Sequence, residues 1–216
     1  SNLAQVNLPI TFQDTATVAY ALVDFGGNAS SIVQDPANPA NLVGKAVKTA
    51  VAELWAGTTN GGSGLAQPVP FTATNTKMTV RVWSPDANTP IRLKVEDAAN
   101  GAISVETEAT TTMAGQWETL LFNFSNQAPG TAALNLANTY NKLSIFFNFG
   151  TTGAAAGEKT YYWDEVRFGL ARVDLPITFQ DTASVDYALV DFGGNASSIV
   201  QDPTNPSNLV GKAIKT

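Results

Sequence analysis

A stretch of 42 residues occurs twice in this chain, and that repetition limits the folds open to it before any other feature does. Leu8–Thr49 and Leu175–Thr216 differ at only 5 aligned positions across an offset of 167 residues. Near-identity at a fixed offset marks tandem modules. The expected organisation is a leader or linker at 1–6, a complete module at 7–170, a joint at 171–174, and at 175–216 the first part of a second, truncated copy. Whatever fold forms must seat the repeated piece against the segment that follows its first copy.

Within the module the hydrophobic period is two rather than 3.6. Ile91-Arg92-Leu93-Lys94-Val95-Glu96 alternates cleanly, Met78–Trp83 nearly so, and Leu143, Ile145, Phe147 and Phe149 share one face of their run. Further strands are expected at Ile10–Gln13, Val18–Phe25, Ala29–Gln34, Lys45–Thr49, Ala52–Gly57, Ile103–Ala109, Trp117–Phe124 and Thr160–Phe168. Turn formers separate them: Asp35-Pro36, Asn38-Pro39, Asn60-Gly61-Gly62, Ser84-Pro85-Asp86, Asn100-Gly101, Pro129-Gly130 and Gly153–Gly157. No long helical pattern is present, and Ala132–Tyr140 offers one turn. Short strands with turns between them predict an all-β fold, a two-sheet antiparallel β-sandwich of the jelly-roll kind, with its first and last strands close together.

Composition narrows the chemistry. The chain has no Cys and no His, so it holds no disulfide, no thiolate site and no imidazole base or metal ligand. Its 12 basic residues against 18 acidic ones, a net charge of -6, argue against a nucleic-acid partner, which needs clustered cations. No apolar run is long enough for a membrane span. Glu106 and Glu108 lie on one face of a strand, as paired glycosidase carboxylates can, but alternation with Val105 and Thr107 is the ordinary pattern of a solvated strand face. Ser63, in Gly62-Ser63-Gly64, has no His to activate it. An enzyme is not expected.

The alternation predicts a core of Val80, Val82, Leu93, Val95, Ile103, Val105, Leu120, Phe122, Phe124, Ile145, Phe147, Val166 and Phe168. The opposite faces carry Arg81, Trp83, Arg92, Lys94, Phe146, Asn148, Tyr161 and Trp163. Open sheet faces avoid large aromatics unless something covers them. One reading is that Trp83, Phe146 and Trp163 lie under a loop such as Trp55–Gly64, or under the second sheet after a bulge. The other is a sugar-binding face, where rings stack on the C–H patches of pyranoses and cationic or amide groups bond the hydroxyls. The candidate ligand-binding residues are Trp83, Arg81, Arg92, Lys94, Asn148, Trp163 and Trp55.

The segments Val69–Thr74, Lys77–Pro85, Arg92–Glu96, Trp117–Leu120 and Tyr161–Val166 carry a resemblance. Together they resemble a non-catalytic jelly-roll, carbohydrate-binding-like module repeated in large secreted proteins of marine bacteria, often associated with laminarinases. That resemblance implies an extracellular or cell-surface location and a polysaccharide partner, with β-glucan as the named candidate. It also implies a structural calcium ion between the first and last strands, at Gln13, Asp14 and Asp164, although Gln13 stands where Glu is common. Two functions follow: polysaccharide binding through the aromatic and cationic face, with avidity from repetition, or a structural spacer, filament or adhesin subunit. In the second, Leu175–Thr216 inserts into a neighbouring copy of the chain and displaces that copy's Leu8–Thr49.

Overall fold

The computed structural model of the chain describes residues 3–172 and 177–215. It falls into two compact units, Ser1–Gly169 and Leu170–Thr216. Val173–Asp174 of the expected joint and Leu175-Pro176 of the second copy lie outside the described residues.

In the first unit the strands are β1 (Ala4–Gln5), β2 (Val18–Ala19), β3 (Leu22–Phe25), β4 (Asn28–Asp35), β5 (Asn38–Lys48), β6 (Gly57–Asn60), β7 (Lys77–Ser84), β8 (Pro90–Asp97), β9 (Asn100–Thr110), β10 (Gln116–Asn123), β11 (Lys142–Phe147) and β12 (Lys159–Phe168), with one helical turn, α1 (Gly153–Ala156). Two five-stranded antiparallel sheets form, ordered β10-β7-β12-β5-β4 and β3-β6-β11-β8-β9. From β3 to β12 only the β4–β5 and β8–β9 connections stay within a sheet; every other one crosses to the facing sheet. That winding is the expected jelly roll. β5 pairs with β12, and Ile10 and Val166 exchange both backbone hydrogen bonds, so the first and last strands do lie together.

The two intra-sheet hairpins share one device. Asp35 Oδ1 accepts the Ala37 N–H and Asn38 Oδ1 accepts the Ala40 N–H. Asp97 and Asn100 do the same for Ala99 and Ala102. Side-chain oxygens that cap the backbone two residues on stabilise tight turns. The turn residues are therefore Pro36-Ala37, at the expected Asp35-Pro36 break, and Ala98-Ala99, two residues before the expected Asn100-Gly101 break; Asn38-Pro39 and Asn100-Gly101 themselves lie inside β5 and β9.

The predicted core is buried between the sheets, with Ile103 and Phe168 half-buried at its margin. It also takes in Tyr161 and Trp163, which the alternation places outside. The reason is a bulge in β12 between Asp164 and Arg167, where Glu165 sits at φ 52°. The extra residue flips the phase, so Tyr161 and Trp163 point inward ahead of it and Val166 and Phe168 point inward after it.

Five local expectations are corrected. Ile10–Gln13 is a single bridge at Ile10, after which Phe12 turns into the core at φ 60°. Val18–Phe25 breaks at Tyr20-Ala21, and of Ala52–Gly57 only Gly57 is strand, the first residue of β6, with a loop before it. Ala132–Tyr140 holds no helix; the helical turn is α1, capped by Thr152 Oγ1 accepting the Ala155 N–H. Part of the expected leader at 1–6 packs with the module: Ala4–Gln5 pairs with Val18–Ala19, and Val6 is buried in the core.

The second unit repeats this opening with β13 (Ala171–Arg172), β14 (Val185–Asp186), β15 (Asn195–Asp202) and β16 (Asn205–Lys215). β13 pairs with β14 as β1 does with β2, which shows that the repeat begins upstream of Leu8 and Leu175. The sequence signal is Leu3-Ala4 recurring as Leu170-Ala171 at the same offset. The β15–β16 hairpin has the register of β4–β5. β5 pairs also with β12, whereas among the described residues β16 has no ladder partner but β15.

Candidate functional site

The outer face of the β3-β6-β11-β8-β9 sheet carries a groove, and the strand register builds it row by row. One row runs Phe25, Gly57, Phe146, Arg92, Glu108 across the five strands. The next runs Val23, Thr59, Ser144, Lys94, Glu106. A third places Lys142 beside Glu96. The aromatic end and the charged end of one face therefore meet over β11.

At the aromatic end, Phe25 packs edge-on to Phe146 at 5.4 Å between centroids and lies parallel to Trp55 at 6.2 Å. Gly57 makes this possible, since a Cβ there would come within 2.9 Å of both phenyl rings. Trp55 stands at the rim, 47% exposed. At the charged end every cation is matched. Arg92 bonds Glu106 and Glu108 and lies 3.5 Å from the Phe149 ring centroid. Lys94 and Lys142 both pair with Glu96. Burial raises the Glu96 pKa, but the two ammonium groups outweigh it and hold the carboxyl below its usual value. The result is a groove of about 540 Å³ with aromatic walls and a floor of paired, oriented donors and acceptors. Such a surface suits a neutral polyhydroxylated ligand better than an ion, because no charge is left unmatched.

Lys48 anchors the groove from below. It is buried, and its ammonium donates to the carbonyls of Phe147 at 3.1 Å, Asn148 at 2.9 Å and Leu54 at 3.5 Å. These carbonyls flank Phe149 and Trp55, so one side chain ties both aromatic loops to β5. Burial draws its pKa down to about 8.

The sequence-predicted residues thus separate. Trp55, Arg92 and Lys94 meet in the groove, with Glu106 and Glu108 acting as ion-pair partners of Arg92. Arg81 and Trp83 lie on the other sheet, on its outer face. Trp163 is 0% exposed and donates its indole N–H to Asn60 Oδ1, so it binds no surface ligand. Asn148 follows β11 at φ 48°; its side chain bonds Tyr161 and its carbonyl accepts from Lys48 and the Thr151 N–H, and it is not among the groove-lining residues. Phe25, Phe146, Phe149 and Ser144 are groove residues that the site prediction omits; Phe146 was placed on the correct face, and Phe25 carried no signal because its strand is short.

The expected calcium residues do not all converge. Asp14 is exposed, and its contribution is a backbone carbonyl that accepts the Thr17 and Val18 N–H groups. Gln13 and Asp164 are linked through Asn41, which donates to Asp164 Oδ2 at 3.0 Å. The Gln13 amide nitrogen has three oxygens within 2.7–2.8 Å: the Thr11 carbonyl, Asn41 Oδ1 and the Leu42 carbonyl. An amide has two N–H groups, so one oxygen there exceeds its capacity. Carbonyl, amide and carboxylate oxygens gathered this way match the donor preference of calcium. Burial pushes the Asp164 carboxyl up to about 6, against the hydrogen bonds from Asn41 and the Glu165 N–H.

No family model and no curated protein matches the chain. Among solved structures, it is similar to the family 11 carbohydrate-binding module of the cellulosomal cellulase Lic26A-Cel5E of Clostridium thermocellum, at 16% identity and a TM-score of 0.48 over 79% of this chain and 98% of that one. A structure of the family 11 module from the same organism, in complex with a β-1,3-1,4-mixed-linked tetrasaccharide, matches at 16% identity and a TM-score of 0.46, covering 73% of this chain and 92% of that one. The CBM22-2 xylan-binding domain of Paenibacillus barcinonensis Xyn10C matches at 13% identity and 0.41, covering 68% and 89%. Among the described residues no helix is long and apolar enough to cross a membrane.

Proposed function

We propose that the first unit is a non-catalytic polysaccharide-binding module of an extracellular or cell-surface array, and that it holds a neutral glycan of the β-glucan class in the Trp55 groove. The observation that carries this reading is the pairing of every cation in the groove with a carboxylate beside a wall of Phe25, Trp55, Phe146 and Phe149. Trp55 offers its exposed edge to a sugar ring, and Lys94, Ser144 and Thr59 offer hydroxyl partners. In affinity electrophoresis with soluble β-1,3- and mixed-linked β-glucans, the wild-type chain is expected to be retarded and Trp55→Ala to migrate as in a glucan-free gel. The loss of one stacking ring corresponds to about tenfold or more in affinity. Wild-type migration unchanged by any glucan would sink the reading.

Calcium belongs to the same proposal. Asp164, Asn41 and the Thr11 and Leu42 carbonyls would hold the ion, with the Gln13 amide turned to present its oxygen, and the ion would tie the N-terminal segment to β12. Saturating Ca²⁺ at pH 7.5 is expected to raise the melting temperature by about 5 °C or more, and Asp164→Asn to abolish that rise. An identical melt with calcium and with EDTA overturns it.

A second reading is carried by β16. Its sequence is nearly that of β5, whose free edge is taken by β12, yet β16 has no such partner among the described residues. Exchange of the repeated hairpin between chains would supply one. Light scattering is then expected to show multimers that vanish when the chain is cut after Ala171; multimers that persist in the shortened chain exclude exchange.

A further inference from the structure

The outer face of the β10-β7-β12-β5-β4 sheet holds a second, smaller pocket. The register sets Trp117, Trp83 and Tyr162 side by side on neighbouring strands. Trp83 meets Tyr162 edge-on at 5.4 Å, and Trp117 lies 6.4 Å from Tyr162. The β4–β5 turn closes the pocket with Asp35, Pro36 and Ala37, leaving about 150 Å³.

Asp35 is the informative residue. It is 1% exposed, and its Oδ1 is served by the Trp117 indole N–H and the Ala37 N–H. Its Oδ2 is buried without a hydrogen bond, the Arg81 guanidinium standing 3.6 Å away. An unsatisfied buried carboxylate oxygen is costly. The chain contains its own control. In the second copy of this hairpin Asp202 corresponds to Asp35, and there Asn208 donates to Asp202 Oδ2 at 3.3 Å. The corresponding Asn41 in the first unit is drawn away to Asp164, which leaves Asp35 Oδ2 without the partner that its copy has.

We propose that this pocket binds one neutral pyranose ring, such as a glycan chain end or side branch, whose hydroxyl donates to Asp35 Oδ2 while its C–H face lies on the Trp83 and Trp117 rings. A neutral donor fits better than a cation. Arg81 already lies beside the carboxylate and over the Trp117 ring, 4.2 Å from its centroid, so a second positive charge would meet repulsion. The site is separate from the Trp55 groove and stands whether or not that groove binds glucan.

The test uses the four indole N–H signals of the ¹⁵N-labelled full chain, assigned with single Trp→Phe variants. The probe is methyl β-glucopyranoside, with methyl β-galactopyranoside in parallel, up to about 50 mM, since a single ring is expected to bind in the millimolar range. Saturable shifts at Trp83 and Trp117 are expected with at least one glycoside, retained in Trp55→Ala and weakened about tenfold or more in Asp35→Asn. Trp83→Ala, which leaves the carboxylate in place, is expected to weaken binding as well and stands in if Asp35→Asn fails to fold. Shifts confined to Trp55, no saturable shift with either glycoside, or a saturable response to tetramethylammonium alone would each overturn the proposal.

Discussion

Trp163→Ala is expected to lower the stability of the first unit by about 3–5 kcal/mol, the range for deleting a large buried aromatic. The indole is 0% exposed and packs against Phe12 and Phe147, each with its centroid 5.6 Å away. Gly44 lies opposite it on β5, and a Cβ at that position would come within 2.5 Å of the ring. The neighbouring strand has thus given up a side chain to admit the indole, and no side chain at position 44 stands ready to fill the hole. Truncation also leaves Asn60 Oδ1 without its donor, in a residue whose Nδ2 already lacks an acceptor. Gly44→Ala should destabilise for the mirror-image reason, by overpacking at about 1–3 kcal/mol. Urea unfolding followed by near-ultraviolet circular dichroism checks both. With a slope of about 2 kcal/mol/M, the Trp163→Ala midpoint should fall by about 2 M. A midpoint that stays put would mean that the ring is not part of a close-packed core.

Lys48→Met should cost about 2–4 kcal/mol at pH 7, because three carbonyls lose their donor while the aliphatic stem is kept. It should also weaken glucan retention, since the loops bearing Trp55 and Phe149 lose their common tether. The pH dependence separates this from a simple packing defect. The Lys48 pKa falls from 10.5 to about 8 on folding. Between those values the unfolded chain holds a proton that the folded one has shed, so stability rises with pH across that window, by up to about 3 kcal/mol. Below pH 8 both states are protonated and that increment is absent. Lys48→Met should abolish the rise, leaving a flat profile between pH 8 and pH 10. A variant with the wild-type slope would assign the rise to another group.

Period-two alternation made the sandwich legible, because a strand buried on one face must show it. It also found Arg92, which bonds Glu106 and Glu108 on β9, and Lys94, which pairs with Glu96 on its own strand. What alternation cannot convey is which sheet a strand joins. Arg81 and Trp83 alternate as Arg92 and Lys94 do, yet they face away on the other sheet, because β7 crosses over to β8 rather than pairing with it. Trp163 was misplaced by a single bulge residue, Glu165, whose left-handed backbone leaves no compositional trace. Phe25 and Trp55 join the groove through a four-residue strand and a loop, segments too short or irregular to have a period. The first hairpin turn is read at Asp35-Pro36; the second was legible in principle, because Asp-x-x-Asn occurs at Asp35, Asp97 and Asp202, and reading Asp97 as a cap would have set its turn two residues earlier.

The self-contained bonding of the β15–β16 hairpin bears on how such a protein is made. β5 ends at Lys48 and β12 begins at Lys159, so 110 residues leave the ribosome between the first contact surface and its mate. At about 5–20 residues per second the hairpin waits roughly 5–20 s for its seat. A hairpin that already satisfies its own turn and ladder can wait with one edge open rather than as loose chain. In this chain, translation order gives the first body its own hairpin before the repeated segment at 175–216 emerges, an order that refolding from denaturant lacks.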